Sequence, residues 1–298
     1  MRRCLALAAA LFLAGCYEAD HQPPPPPDPA LWIARGPRAA VVLFGSVHAL
    51  PTRMEWEPRA LKLAVQDADE LWFETPLDEQ SSYQLAVALV SHSQQPKGRK
   101  LWDRLTPAET ARLRQACARV GVPPEKLARL QPWAADMRLG GEAGFDATGS
   151  TTAWGVERTL EAQADAHTLR KGFEPTAEHA AVLTAAAPAD QIAMLDATVN
   201  AILDGHSEDD GRQIREWRYG DIMSETRDFL DDDAKLGPGM YRRLLTDRNH
   251  RFADAIARRL QGKGFIVAVV GAAHMVGPEG VPALLRARGI PVDGPLTH

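Results

Sequence analysis

Two short apolar segments near opposite ends of the chain each run into the same four-residue pattern, Gly-x-x-His. The first pattern is residues 45–48, after the valine-rich run 39–44, and the second is residues 271–274, after the run 265–270. Apolar runs of this length that stop at a glycine are typical of buried strands. Because glycine permits a sharp turn, each of two buried strands is predicted to end just before a histidine.

Helical patterns accompany both strands. Near the N-terminus, residues 58–68 form a predicted helix, and residues 70–73 form a second strand. Near the C-terminus, residues 247–260 and 279–288 have helical patterns, and residues 290–292 form a short last strand. Strands that alternate with helices indicate βαβ units and a parallel sheet.

The middle of the chain, residues 83–241, has mostly helical patterns, with one more possible strand at 168–173. The predicted fold class is therefore α/β. Its central sheet is built from two βαβ-like halves at the N- and C-terminal ends, with a large helical insertion between them. The folded domain is expected to occupy residues 31–298.

The strand ends predict a site. In open α/β sheets, the carboxyl ends of the strands form the ligand crevice, so His48 and His274 would meet there. Glu74 follows the strand 70–73 and would join them. Two histidines and a carboxylate are good ligands for a divalent metal such as Mn, Co or Zn, and they leave positions open for water or substrate. The alternative is that Gly45 and Gly271 are turn residues followed by surface histidines.

The first sixteen residues have the features of a bacterial signal peptide. Arg2 and Arg3 precede the apolar segment 5–14, which is too short to cross a bilayer. The sequence Leu-Ala-Gly-Cys, which ends at Cys16, resembles a bacterial lipobox and implies that a lipid is attached to this cysteine. An ordinary signal peptide with an incidental cysteine is the alternative.

Residues 17–30 form a predicted linker, since five consecutive prolines favour an extended spacer. The lipid at Cys16 would tie the protein to a membrane. Tyr17, rather than aspartate, follows this cysteine. By resemblance to enterobacterial sorting, that residue implies a lipoprotein of the outer membrane that faces the periplasm.

The composition gives no support for a nucleic-acid partner. Acidic residues outnumber basic ones by 39 to 34, with a formal charge of −5. Nothing in this balance suggests nucleic-acid binding, which usually needs a basic face. Cys117 is the one cysteine beyond residue 16, so an internal disulfide is not expected, and a buried thiol is the predicted role.

The motifs together resemble the TraB/GumN family, which is related to the Tiki proteases and, more distantly, to ChaN-like haem-binding lipoproteins and erythromycin esterases. The most specific segment is Arg248-Asn249 followed by Gly-Ala-Ala-His-Met-Val-Gly at 271–277. The Gly-x-x-His turn at 45–48 and the segment 71–76 also match. The resemblance covers nearly the whole predicted domain.

The resemblance implies metal-dependent hydrolysis of a peptide or protein substrate, with His48, Glu74 and His274 at the site. It also implies that Arg248 and Asn249 face the site. Arg248 would stabilise an oxyanion, or would pair with a structural carboxylate such as Glu74 or Glu174. Thr246 is expected to cap the helix that carries them.

Two further acidic residues are possible members of the site. Glu157 stands where the family has aspartate, which keeps the charge but changes its reach, and Glu174 follows Phe173, where the family has leucine. Surface positions are expected for four other histidines: His167, His179, His206 and His250.

The favoured function is an envelope-anchored metal-dependent hydrolase. One alternative is a non-catalytic lipoprotein that binds haem or metal in the same crevice. Another is an accessory protein of surface polysaccharide or signalling.

Overall fold

The computed structural model describes residues 26–205 and 209–296. The predicted signal peptide, Cys16 and most of the linker lie outside these residues. The side chains at 144–148, 209–210, 229–235 and 238 are also outside the description. Within the described ranges, no helix is both long enough and apolar enough to cross a membrane.

The described part of the chain forms strands β1 (Leu31–Arg35), β2 (Ala39–Ser46), β3 (Leu50–Pro51), β4 (Glu70–Phe73), β5 (Ser150–Thr151), β6 (Leu169–Gly172), β7 (Gly264–Gly271) and β8 (Val292–Asp293). Its helices are α1 (Arg59–Gln66), α2 (Glu79–His92), α3 (Pro107–Arg119), α4 (Pro132–Thr148), α5 (Val156–Gln163), α6 (Thr176–Thr184), α7 (Pro188–Asp204), α8 (Asp209–Arg218), α9 (Ile222–Leu236), α10 (Pro238–Tyr241), α11 (Asp247–Leu260) and α12 (Val281–Ala287).

Six strands form the central sheet in the order β6-β4-β7-β2-β1-β8. The four strands from β6 to β2 are parallel to one another, whereas β1 is antiparallel to both of its neighbours. The predicted α/β class is confirmed. The two halves interleave, because β7 from the C-terminal half lies between β4 and β2 from the N-terminal half.

Apolar side chains cover both faces of this sheet. On one face, α11 packs Phe252, Ile256 and Leu260 against the sheet, and α12 adds Leu285. These positions recur every four residues, so they lie on one side of the helix. On the other face, α1 and α5 bury their own apolar residues against β2 and β7. Burying each large side chain contributes about 1.5–3 kcal/mol.

The helical insertion has a core of its own. Helices α3, α4 and α7 enclose Leu113, Leu139, Leu195 and Val199, and the Cys117 thiol is buried among them. This cluster is separate from the two that cover the sheet. The insertion contributes β6 to the central sheet, and its strand β5 pairs with β3 in a small second sheet.

Three local features differ from the predictions. Strand β1 was not predicted, and β8 covers Val292–Asp293 instead of residues 290–292. The prediction that Thr246 caps α11 is wrong. A π-helical turn at Arg242–Thr246 leads directly into α11, so Thr246 has helical backbone angles and no capping hydrogen bond. Its hydroxyl donates to Glu279 Oε2 at 2.8 Å instead.

Candidate active site

The candidate site lies where three neighbouring parallel strands end. Strands β4, β7 and β2 are adjacent and parallel, so their carboxyl ends share one edge of the sheet. Ser46 at the end of β2 pairs in register with Gly271 at the end of β7. His48, His274 and Glu74 follow these three strands within a few residues, which brings all of them to this edge.

Gly271 is the point around which the three side chains meet. A Cβ atom on this glycine would lie 3.3 Å from Glu74 Oε1, 3.7 Å from His274 Cδ2 and 3.9 Å from His48 Nε2. The backbone N–H of Gly271 donates to Glu74 Oε1 at 2.7 Å. A larger residue would therefore fill the space between these groups and displace the carboxylate.

His48 is oriented by an acidic partner. Its Nδ1 lies 2.6 Å from Glu157 Oε1, in the first turn of α5, and the Ser46 hydroxyl donates to the same oxygen at 2.5 Å. The hydrogen bond to Glu157 raises the pKa of His48 to about 9, although burial opposes the shift. With Nδ1 held by Glu157, Nε2 is the ring nitrogen near Gly271, 3.9 Å from the position that a Cβ on this glycine would take.

His274 is oriented in the same way by a neutral partner. Its Nδ1 lies 2.5 Å from Asn249 Oδ1, and Asn249 Nδ2 donates to the backbone oxygen of Glu279 at 2.8 Å. Because the amide must present its oxygen to the ring, Nδ1 carries the proton and Nε2 carries the lone pair. Burial lowers the pKa of His274 to about 4, so the ring is neutral at neutral pH.

Arg248 is the central cation of the site and is almost fully buried, with 6% of its side chain exposed. Its Nη2 donates to Glu74 Oε2 at 2.5 Å and to Glu174 Oε1 at 2.7 Å. Its Nη1 donates to His274 Nε2 at 3.1 Å. The sequence left open whether Arg248 faces the site or pairs with a carboxylate, and it does both.

The carboxylates of the site are ionised. Burial alone would raise the pKa of Glu74, but the positive charges of Arg248 and His48 and the hydrogen bond from the N–H of Gly271 outweigh burial, and the pKa lies well below its ordinary value. Since His274 is neutral, Arg248 is the permanent charge that keeps Glu74 ionised. Burial likewise opposes ionisation of Glu174, but hydrogen bonds from His179 and Arg248 lower its pKa to about 2.

His179 is a residue that sequence reasoning missed, since a surface position was expected for it. Its Nδ1 lies 2.8 Å from Glu174 Oε1 and 3.9 Å from Glu74 Oε2. It stands in α6, which begins directly after Glu174 and Pro175. A histidine one helical turn beyond a strand-end glutamate was the available signal.

A cavity of about 390 Å³ opens onto this site. His48, Glu74 and His179 line it, together with Glu157, Arg158 and Glu161 from α5. This volume lies toward the small end of the range for ligand pockets, about 300–1,000 Å³. The cavity therefore gives a small molecule, or one short part of a polymer, direct access to Glu74.

His48, Glu74 and His274 carry donor atoms of the types that bind divalent metals. Histidine ligands of metals almost always donate their second ring N–H to a carboxylate or another acceptor, and His48 and His274 both do so. His274 Nε2 lies 3.6 Å from Glu74 Oε1, and His48 Nε2 lies 3.9 Å from the position that a Cβ on Gly271 would take. Among the described residues, the group whose ligand atoms all lie within 4.8 Å of one another is Glu74, Glu174 and His179. Arg248 donates to both carboxylates of that group and also to His274.

A model of the TraB/PrgY/gumN family matches residues 30–293 of the chain. The match extends from the start of β1 to β8, so it includes every strand of the central sheet and all the residues of the site. The resemblance inferred from the motifs is thereby confirmed. No curated protein and no solved structure matches the chain.

Proposed function

The chain belongs to the TraB/PrgY/gumN family, and we propose that it is a metal-dependent hydrolase of peptide or amide bonds. The observation that carries the proposal is the matched orientation of two histidines. Each ring is held at Nδ1 by an acceptor. His274 Nε2 lies 3.6 Å from Glu74 Oε1, and Glu74 Oε1, His274 Cδ2 and His48 Nε2 all lie within 4 Å of the Cβ position of Gly271. Glu74 is in turn buried, ionised and reachable from a cavity.

His48, Glu74 and His274 are the residues that would hold a divalent ion such as Mn, Co or Zn. An ion bound there would supply a Lewis acid at neutral pH. His274 is suited to this role, because its neutral ring already presents the Nε2 lone pair. In the structure this lone pair accepts from Arg248 Nη1, and it would be given to the ion instead.

The side chains around this position have separate tasks. Glu74 would act as the base that accepts a proton from the attacking water, while its Oε1 accepts the N–H of Gly271 and its Oε2 accepts from Arg248. Arg248 directs its donors to Glu74, Glu174 and His274, so it is a positioning residue rather than an open oxyanion site. Asn249 selects the His274 tautomer, and Glu157 does the same for His48.

His179 is the residue that donates a proton to the leaving amine. Its ring lines the cavity, and Glu174 holds its Nδ1. The other ring nitrogen is then the one available to a substrate. Glu174 thus positions two residues of the site, since it holds the ring of His179 and also accepts a hydrogen bond from Arg248.

The experiment that tests this proposal is a calorimetric titration of the metal-depleted protein with Mn, Co or Zn. We expect binding to release about one proton at neutral pH, because a metal ligand must be deprotonated and His48 is protonated while His274 is not. Buffers with different ionisation enthalpies reveal the proton count. The same loaded protein should cleave members of a peptide library.

His48→Ala and His274→Ala should each weaken metal binding by at least about 100-fold, since each removes one of few ligands. His250→Ala is the matched control, because His250 is exposed on α11 and lies outside the site. A protein that binds no divalent ion and cleaves nothing contradicts the proposal. A protein that carries haem instead favours the non-catalytic alternative.

Membrane anchoring through Cys16 is part of the same proposal and places the enzyme on the outer membrane, facing the periplasm. It is supported by the Leu-Ala-Gly-Cys sequence and the proline spacer. Cys16→Ala should abolish incorporation of a fatty-acid label in cells. Label that persists in this variant contradicts lipid attachment at Cys16.

A further inference from the structure

Arg158 is a cation of the cavity that has no partner in the described part of the chain. It follows Glu157 in α5 and lines the same cavity as His48 and Glu74. Its guanidinium is exposed, and it makes no hydrogen bond or ion pair with any residue that the structure describes. Its charge is therefore available to a ligand.

The other arginines near the cavity are already paired. Arg248 is shared by Glu74 and Glu174, Arg251 contacts Glu174 at 3.2 Å, and Arg170 contacts Glu161 at 3.1 Å. Arg158 is thus the free permanent cation among the described residues that line the cavity. A charge at the wall of a concave site attracts ligand groups of opposite sign more strongly than the same charge on a flat surface.

Glu161, three residues further along α5, offers the complementary feature. Its Oε1 accepts from Arg170 Nε. The Glu161 side chain is 34% exposed and lines the cavity, and a carboxylate oxygen can accept more than one hydrogen bond, so it can accept a donor from a ligand. Residues three apart on a helix are neighbours on its surface, about 5–6 Å between Cβ atoms.

We propose that Arg158 and Glu161 form a subsite for the carboxyl-terminal residue of a peptide substrate. The free carboxylate binds the Arg158 guanidinium, and the N–H of the same residue donates to the exposed part of the Glu161 carboxylate. The terminal residue of a peptide carries both groups a few atoms apart, as these two side chains require. The limited volume of the cavity suits a chain end better than a long internal segment.

This inference rests on the proposed function and specifies its substrate class. The hydrolase acts near the carboxyl end of peptides and discriminates against blocked ends. A charge-assisted hydrogen bond is about twice as strong as a neutral one. Its net contribution corresponds to a preference for a free carboxyl terminus over a blocked one on the order of 10–100-fold.

The test uses pairs of short peptides that are identical except for a free carboxylate or an amide at the carboxyl terminus. Wild-type protein should cleave the free-carboxylate member with the higher kcat/KM, by on the order of 10–100-fold. In Arg158→Ala this ratio should fall close to one, mainly through a higher KM for the free-carboxylate peptides. Arg258→Ala removes an exposed arginine of α11 that lies away from the cavity, and it should keep the wild-type ratio.

Equal cleavage of both members by wild-type protein overturns the subsite. If wild-type protein cleaves neither, the proposed function fails, and binding of the same peptides is measured by calorimetry. A preference for the carboxylate that disappears in Arg158→Ala then still supports the subsite. Absence of binding, or binding without that preference, overturns it.

Discussion

Glu74→Gln is expected to lower the rate of hydrolysis by about 10²–10⁴-fold, the usual contribution of a general base. Glutamine keeps the shape of the side chain and can still accept the N–H of Gly271. It cannot accept a proton from water at neutral pH. The measurement is kcat on a cleaved peptide, together with the metal content of the variant.

Glu79→Gln is the matched control for this change. Glu79 is an exposed glutamate in the first turn of α2, five residues from Glu74 and outside the cavity lining, so it should retain wild-type kcat. Thermal unfolding of both variants separates loss of chemistry from loss of fold. An unchanged rate in Glu74→Gln with the metal retained would exclude Glu74 as the base.

Arg248→Met is expected to destabilise the protein by about 3–5 kcal/mol, the range for removing one partner of a buried ion pair. The loss leaves Glu74 and Glu174 ionised in a buried place without their shared cation. Methionine fills much of the space left by the aliphatic part of arginine, so packing is largely kept. Urea unfolding at neutral pH measures the difference.

The same variant has a predicted pH dependence. In the folded wild-type protein, the pKa of Glu174 is lowered to about 2, whereas in the unfolded chain it is about 4.3. The ionised Glu174 therefore contributes its full stabilisation at pH values above about 4.3. That contribution is lost as the pH falls through about 2. Without Arg248, both carboxylates should take up protons at higher pH. The stability gap to wild type should therefore narrow as the pH falls from 7 towards about 4.

Arg251→Met provides the comparison, because Arg251 also contacts Glu174 but is about half exposed, at 49%. An exposed ion pair contributes about 0–1 kcal/mol, so this variant should lose little stability at any pH. If Arg248→Met is no less stable than Arg251→Met, then Arg248 does not compensate the two buried carboxylates.

Local patterns were sufficient to predict the α/β class and three residues of the candidate site. The runs before Gly45 and Gly271 are strands because their apolar, valine-rich side chains must be buried on both faces. Each strand end is visible in the sequence as the point where apolar residues give way to glycine. His48, Glu74 and His274 could be selected because each follows such an end.

Sequence also indicated Glu157 and Glu174, through their matches to family positions. It did not indicate what they contact. Glu157 holds the ring of His48, and Glu174 binds Arg248 and His179. His179 itself was expected at the surface, because the prediction considered its helix alone and not its position one turn beyond Glu174 at the end of a strand.

Only the tertiary structure decided the strand order and the pairing of charges. Inserting β7 between β4 and β2 brings Glu74 and His274 together, although they are 200 positions apart in the chain. The same packing sets Arg248 between two carboxylates and leaves Arg158 without one. The spacing of apolar residues indicates which face of a segment is buried. Which strand lies beside which depends on contacts between segments that are distant in sequence, and no local pattern predicts those contacts.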